Sequence, residues 1–322
     1  MSRKFSFEKS EYSSIVGRTD GLEPSNNPGR GLIRGNPPLE FQAAFCEFKE
    51  YNTAQIIEMF RINETQRAEP IPVMPEKIEI SKLKKCKGKL AIGLNDTDLQ
   101  PVYLDLFLYP VFMVAGESMS GKSTILMSWI KMLSDADVYV IDSSSMSLFK
   151  VLNLPYVTDM KKYENESIEK ISNIIQTRRQ QLIDCQLKDG NVEELIDSWQ
   201  HVVIFIDRLS EFTNSDKYSL IELIERIVKK ERGLKISVIA ADTISEFSNN
   251  WSDLCKVFKD EQTGILLGSL KDQALYNVRI AYGTMEKEFS FGDGYLINRN
   301  KYIGLRFAMF YQQQQTLTII VP

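Results

Sequence analysis

The sequence predicts an α/β fold with a mostly parallel sheet and helices on both faces. Five short, nearly uninterrupted apolar runs (111–115, 138–141, 202–206, 236–240 and 265–267) alternate with stretches of helical spacing (122–133, roughly 161–187, 218–231 and 251–258). Strands apolar on both sides and joined by helical crossovers build a parallel sheet covered on both faces. The first run leads directly into Gly116-Glu117-Ser118-Met119-Ser120-Gly121-Lys122-Ser123, which matches G-x-x-x-x-G-K-[ST] at every fixed position. A helical pattern follows it, so the order is strand, loop, helix, the context this motif requires. A third apolar run ends in an acid, Asp207, where a buried strand would emerge. The predicted architecture is a P-loop α/β domain, with ligands at the carboxyl ends of the strands.

Residue types in the loop state its chemistry. Gly116 and Gly121 let the backbone turn and approach a polyphosphate with no Cβ in the way. Successive N–H groups from Gly116 to Thr124, with the positive end of the helix, then face phosphate oxygens. Glu117, Ser118, Met119 and Ser120 form the arch between the glycines. Lys122 supplies a mobile charge for the β- and γ-phosphates, and Ser123 a hydroxyl for Mg²⁺. The expected ligands are ATP and Mg²⁺.

Composition narrows the class. At 322 residues and 43% hydrophobic content the chain can bury one large α/β core with accessory pieces. No stretch approaches the roughly 18 apolar residues of a membrane span, and residues 1–8 lack the apolar block of a signal peptide. A net charge of −4 with dispersed Lys and Arg argues against a strong non-specific grip on nucleic acid. Cys46, Cys86, Cys185 and Cys255 show no metal-ligand spacing, which points to reduced thiols. His201 is the only histidine, so histidine triads and multi-histidine metal sites are excluded.

From the N-terminus, residues 1–45 are turn-punctuated and end in a hairpin whose arms flank Gly35-Asn36-Pro37-Pro38. Residues 292–310 share the same plan of Gly-x-Gly, apolar pair, polar turn and spaced phenylalanines. Either both are ordinary Gly-initiated hairpins, or one module ends near residue 45 and another near 311, as in a tandem array. Residues 46–68 carry helical spacing (Ala54, Ile57, Phe60) that Pro70, Pro72 and Pro75 terminate. A Lys-rich connector runs to residue 89, and 90–94 with 102–107 read as hairpin arms entering the core. The expected division is therefore 1–45, a linker at 46–89, a nucleotide-binding domain at 90–311, and 312–322 as a tail or edge strand.

The second half of the site begins at Asp207, at the end of His201-Val-Val-Ile-Phe-Ile-Asp207, where an acid would hold Mg²⁺ through water. The next residue is Arg208, where a hydrolysing P-loop motor commonly has glutamate. A guanidinium stays protonated and cannot serve as a base. Glu211, one helical turn on, is the remaining acid that could take that part. Asp242, after the 236–240 strand, stands where a polar γ-phosphate sensor is usual, and its charge repels phosphate. These residues predict that ATP binds and is hydrolysed weakly or not at all, with Lys122 and Asp207 as the surviving catalytic groups. An apolar stripe of Leu220, Ile224, Ile227, Trp251 and Leu254 reads as core before it reads as a groove for a helical partner.

The chain resembles the C-terminal ATPase modules of the EssC/EccC coupling proteins of type VII (ESX) secretion, within the FtsK/SpoIIIE family. The resemblance rests on Pro28 to Ala44 (Pro-Gly-Arg-Gly-Leu-Ile-Arg-Gly-Asn-Pro-Pro-Leu-Glu-Phe-Gln-Ala-Ala), Pro70-Ile-Pro-Val-Met-Pro75, Leu90-Ala-Ile-Gly-Leu94, the phosphate loop and the strand ending in Asp207. It implies a RecA/FtsK-like module binding Mg²⁺ and ATP, part of a hexamer on the cytoplasmic side of the cell membrane. Implied partners are neighbouring ATPase modules, small helical WXG-type substrates read through a C-terminal signal, and other secretion components. Two departures, Arg208 for glutamate and Ala241-Asp242-Thr243 where the family's DNA translocases carry Thr-Gln-Arg, put hydrolysis and DNA pumping in doubt. An active FtsK-like DNA translocase motor is the alternative reading.

Overall fold

The computed structural model describes residues 29–33, 38–43, 52–63, 73–84, 86, 88–271, 273–280, 289–290 and 292–310. They belong to two compact units divided between residues 71 and 72. The first contains an antiparallel hairpin, β1 (Arg30–Ile33) against β2 (Leu39–Gln42), with Arg30 opposite Gln42. Helix α1 (Thr53–Asn63) follows. It starts at Asn52, whose side chain accepts from the Gln55 amide at 2.9 Å while Gln55 returns the bond to the Asn52 amide at 2.9 Å. This reciprocal cap satisfies two N–H groups that the first helical turn leaves free. Both elements were expected, the helix over a longer span whose remainder lies outside the described residues, as does the 312–322 segment.

The second unit is built on one sheet. In chain order come β3 (Ile78–Glu79), β4 (Lys89–Asn95), β5 (Pro101–Asp105), β6 (Val111–Gly116), α2 (Lys122–Met132), β7 (Asp137–Ile141) and β8 (Val157–Asp159). Then follow α3 (Glu164–Leu187), α4 (Val192–Ser198), β9 (Val202–Asp207), α5 (Leu209–Thr213), α6 (Tyr218–Lys230), β10 (Ile236–Asp242), α7 (Ile244–Asn249) and α8 (Asp253–Glu261). The chain closes with β11 (Thr263–Leu267), β12 (Asp293–Asn298) and β13 (Lys301–Met309).

Across the sheet the order is β5-β4-β13-β12-β11-β6-β10-β9-β7-β8, with β3 added beside β13. From β11 to β8 every neighbour is parallel. From β11 to β5 every neighbour is antiparallel. The sequence-derived parallel sheet is thus one half, and the hairpins expected at 90–107 and 292–310 join as the other.

The parallel half is legible in β6. Val111, Met113 and Ala115 pack into the hydrophobic layer on one face, and Phe112 and Val114 into the layer on the other. Successive side chains of a strand point to opposite faces, so an all-apolar strand needs cover on both. Ile125, Leu126, Trp129 and Ile130 of α2 cover one side. Residues of α3, α6, α7 and α8 cover the other, including Ile171, Leu220, Ile224, Phe247, Leu254 and Phe258. Burying each such side chain contributes about 1.5–3 kcal/mol. Leu220, Ile224, Ile227 and Leu254 are therefore core, as the sequence reading preferred. Trp251 is 75% exposed, with the Lys259 ammonium 4.8 Å above its ring.

Candidate nucleotide site

The parallel strands end together, and their register sets the site. Ala241 of β10 lies opposite Asp207 of β9, and Asp242 opposite Ala115 of β6, one residue before the loop begins. Asp207 and Asp242 thus stand on adjacent strands at the carboxyl edge, each 3% exposed. Gly116 ends β6 in close quarters: a Cβ there would meet Ser120 Oγ at 2.5 Å and the Leu267 carbonyl oxygen at 2.9 Å. At the other end of the loop Gly121 has φ +99°, a left-handed turn that favours glycine, and α2 begins at the next residue. Met119 tips the arch, 98% exposed, also with positive φ.

Lys122 turns back over the loop, its ammonium donating to the carbonyls of Gly116 at 2.9 Å and Glu117 at 2.7 Å. Burial pushes its pKa down, and the nearby Arg208 guanidinium pushes the same way; Asp242, Asp207 and Glu117 pull it back up. Ser123 Oγ donates to Asp207 Oδ1 at 3.2 Å, bridging 84 residues of sequence. Two sequence-predicted metal-site residues, the loop serine and the strand acid, are thereby in contact.

The other oxygen of Asp207 accepts from Ser143 Oγ at 2.8 Å. That serine belongs to the Ser143-Ser144-Ser145-Met146-Ser147 loop after β7, which the sequence reading did not single out. A hydroxyl has one proton. With the Ser143 proton given to Asp207, Ser145 must donate to Ser143 (2.8 Å) and Ser147 to Ser145 (2.9 Å). Asp142 anchors the loop by accepting from the amides of Ser143 and Leu148 at 2.9 and 3.1 Å, and burial raises its pKa. A signal was available: four polar residues directly after a buried parallel strand sit at the edge where such folds bind ligands.

Arg208 takes φ +57° as the chain leaves β9 for α5, and its side chain is exposed. Glu211 is engaged elsewhere: it accepts from the Ser144 amide at 2.6 Å and hydroxyl at 3.0 Å, with Lys161 at 3.7 Å. Asp242 accepts from the amides of Ser210 at 2.7 Å and Thr243 at 2.8 Å, so its carboxylate also holds the start of α5 against β10. Ser118 and Thr124 keep their expected places, on the exposed arch and in the first turn of α2.

The arrangement suits a magnesium nucleotide. A hydroxyl touching a buried carboxylate offers the hard oxygen donors that Mg²⁺ takes beside substrate phosphates. Ser120 Oγ is buried in the arch without a hydrogen-bond partner. Among the described residues no group of three or more His, Cys, Asp or Glu side chains forms a metal cage. Likewise, no described helix is long and apolar enough to cross a membrane.

Sheet order, loop and strand-end acid define the class, a P-loop ATPase fold. No protein-family profile matches the chain. It is 25% identical over 315 residues to the ESX secretion system protein YukB of Bacillus subtilis, covering 91% of this chain and 20% of that protein. The chain spans about a fifth of the length of the curated relatives it matches over most of its residues. A solved structure, EssC (ATPases 2 and 3) from Geobacillus thermodenitrificans, superposes with a TM-score of 0.66 at 20% identity, covering 94% of this chain and 59% of the other. Thermomonospora curvata EccC (ATPases 2 and 3), solved in complex with a signal sequence peptide, gives 0.58 at 19% identity, covering 94% and 56%. Sequence relatives and structural neighbours agree: the chain is similar to the ATPase modules of EssC/EccC-type proteins.

Proposed function

We propose that the chain is a nucleotide-binding module of a type VII secretion coupling ATPase. It holds Mg-ATP, hydrolyses it weakly or not at all, and takes part in recognising and regulating export substrates. The observation that carries the reading is the contact between Ser123 and Asp207, which assembles the loop and the metal acid, with Arg208 directly beside them. Gly116 to Thr124 would wrap the phosphates, Lys122 would release its loop carbonyls to reach the β- and γ-phosphates, and Ser123 with Asp207 would hold the metal. Mg²⁺ would neutralise phosphate charge between them. The residue after Asp207 is Arg208, which cannot deprotonate water, and Glu211 is held by Ser144 and Lys161. The module would work on the cytoplasmic side of the membrane beside neighbouring ATPase modules, within a hexamer in the full assembly. WXG-type substrates and other secretion components are the partners proposed, in keeping with the signal peptide held by the Thermomonospora relative.

The test is nucleotide affinity and turnover measured together on this chain and on Arg208→Glu. Mg-ATP should bind, and turnover should fall far below that of an active motor of the family. At saturating ATP the substitution should raise kcat about tenfold or more, short of the roughly 10²–10⁴ a well-placed base provides. Turnover matching an active motor without the substitution would sink the proposal.

A further inference from the structure

Resting on the nucleotide reading above, we infer that Arg208 makes this site discriminate a nucleoside triphosphate from a diphosphate, by lying against the terminal phosphoryl group. Position comes first. Arg208 directly follows the acid that touches Ser123, and β9 stands two strands from the loop's own strand β6, with β10 between them. The loop grips a polyphosphate from the β6 side, so a group at the end of β9 meets its far end. The backbone there is pinned: Asp207 lies in register with Ala241 of β10, the Phe212 amide donates to the Arg208 carbonyl at 3.1 Å, and the Ser210 amide to Asp242 at 2.7 Å.

Charge makes the second argument. A terminal phosphate at this edge meets two buried acids, Asp207 and Asp242, on adjacent strands. Both carboxylates already accept two hydrogen bonds, and Glu211 is taken by Ser144 and Lys161. The Arg208 side chain, by contrast, makes no hydrogen bond or ion pair within the described residues, yet its charge is near enough to oppose that of Lys122. Two neighbouring cations, neither of them in an ion pair among the described residues, are stabilised by a polyanion. The guanidinium offers a planar fork that matches phosphate oxygens in pairs. Glutamate at this position would orient water; arginine holds the group that water would attack.

The experiment is calorimetric titration of the full chain with Mg-ATP and with Mg-ADP, on the natural sequence, Arg208→Asn and Arg208→Lys. Asparagine tolerates the left-handed backbone, so the fold is expected to survive, and the melting temperature checks it. The natural chain should favour ATP. Arg208→Asn should weaken ATP about tenfold or more, the scale of a lost charge-assisted hydrogen bond, while ADP shifts less than about threefold. Arg208→Lys should recover part of the loss. Equal effects on ATP and ADP, or none on either, would overturn the inference and leave the nucleotide site standing. Failure of the natural chain to bind either nucleotide would overturn both.

Discussion

His201 gives a prediction whose size can be worked out. It precedes β9, and its Nε2 lies 2.9 Å from Ser237 Oγ, which donates its own proton to the Leu106 carbonyl at 2.7 Å. Ser237 therefore has only a lone pair to offer, and His201 must carry its hydrogen on Nε2. A second proton would go to Nδ1. Burial opposes that charge first, then Lys235 and Arg178; Asp105 and Asp135 favour it but lose, and the pKa falls to about 4. In the unfolded chain it is about 6.5. Between these values the unfolded state binds the extra proton. The contribution is thus intact above about pH 6.5 and is lost as pH falls toward about 4. Fully expressed, the difference would be about 3 kcal/mol, and partial solvent exposure of the ring reduces it to about 2 kcal/mol. In a unit of this size that is roughly 4–8 °C in melting temperature. His201→Gln keeps an N–H for Ser237 and cannot titrate. Scanning calorimetry of both chains from pH 7.5 to 4.5 should show the variant gaining that margin on the natural sequence as pH falls. Carboxylate protonation affects both chains and cancels. A gap that stays constant with pH would refute the reasoning.

Two further substitutions separate binding from stability. Gly116→Ala would drive a methyl group into Ser120 Oγ and the Leu267 carbonyl, so the loop must shift. Nucleotide affinity should drop about tenfold or more, with about 1–3 kcal/mol of stability lost to overpacking; unchanged affinity by titration would contradict the loop geometry. Arg178→Met would strip three carbonyls, Leu234, Lys235 and Gln200, of a buried guanidinium. About 2–4 kcal/mol should be lost in denaturant unfolding with nucleotide affinity intact, since unsatisfied buried acceptors carry that penalty.

What could be read in advance follows from which features are local. The phosphate loop was legible because its chemistry fixes residue types at fixed spacing. Strands β6, β9 and β10 were legible because burial on both faces leaves an unbroken apolar run. Strand β8, Val-Thr-Asp, is only partly buried and exists through its pairing with β7. Helices α4 and α7 have seven and six residues, too few for periodicity, and start at the caps Asn191 and Thr243. The antiparallel half depends on β13 finding β4, some 200 residues earlier in the chain. Ser143 shows the same limit at the site: by sequence it is one serine in a polar turn, and only the fold brings it to Asp207.

Arg178 secures carbonyls just before β9 and β10 begin, at the end of those strands opposite Asp207 and Asp242. Architecture and chemistry therefore occupy different ends of the same strands. An exposed side chain at the carboxyl edge, such as that of Arg208, is thus remote from the contacts Arg178 makes. Under the function proposed above, exchange of a general base for arginine at position 208 would leave the strand starts that Arg178 secures untouched.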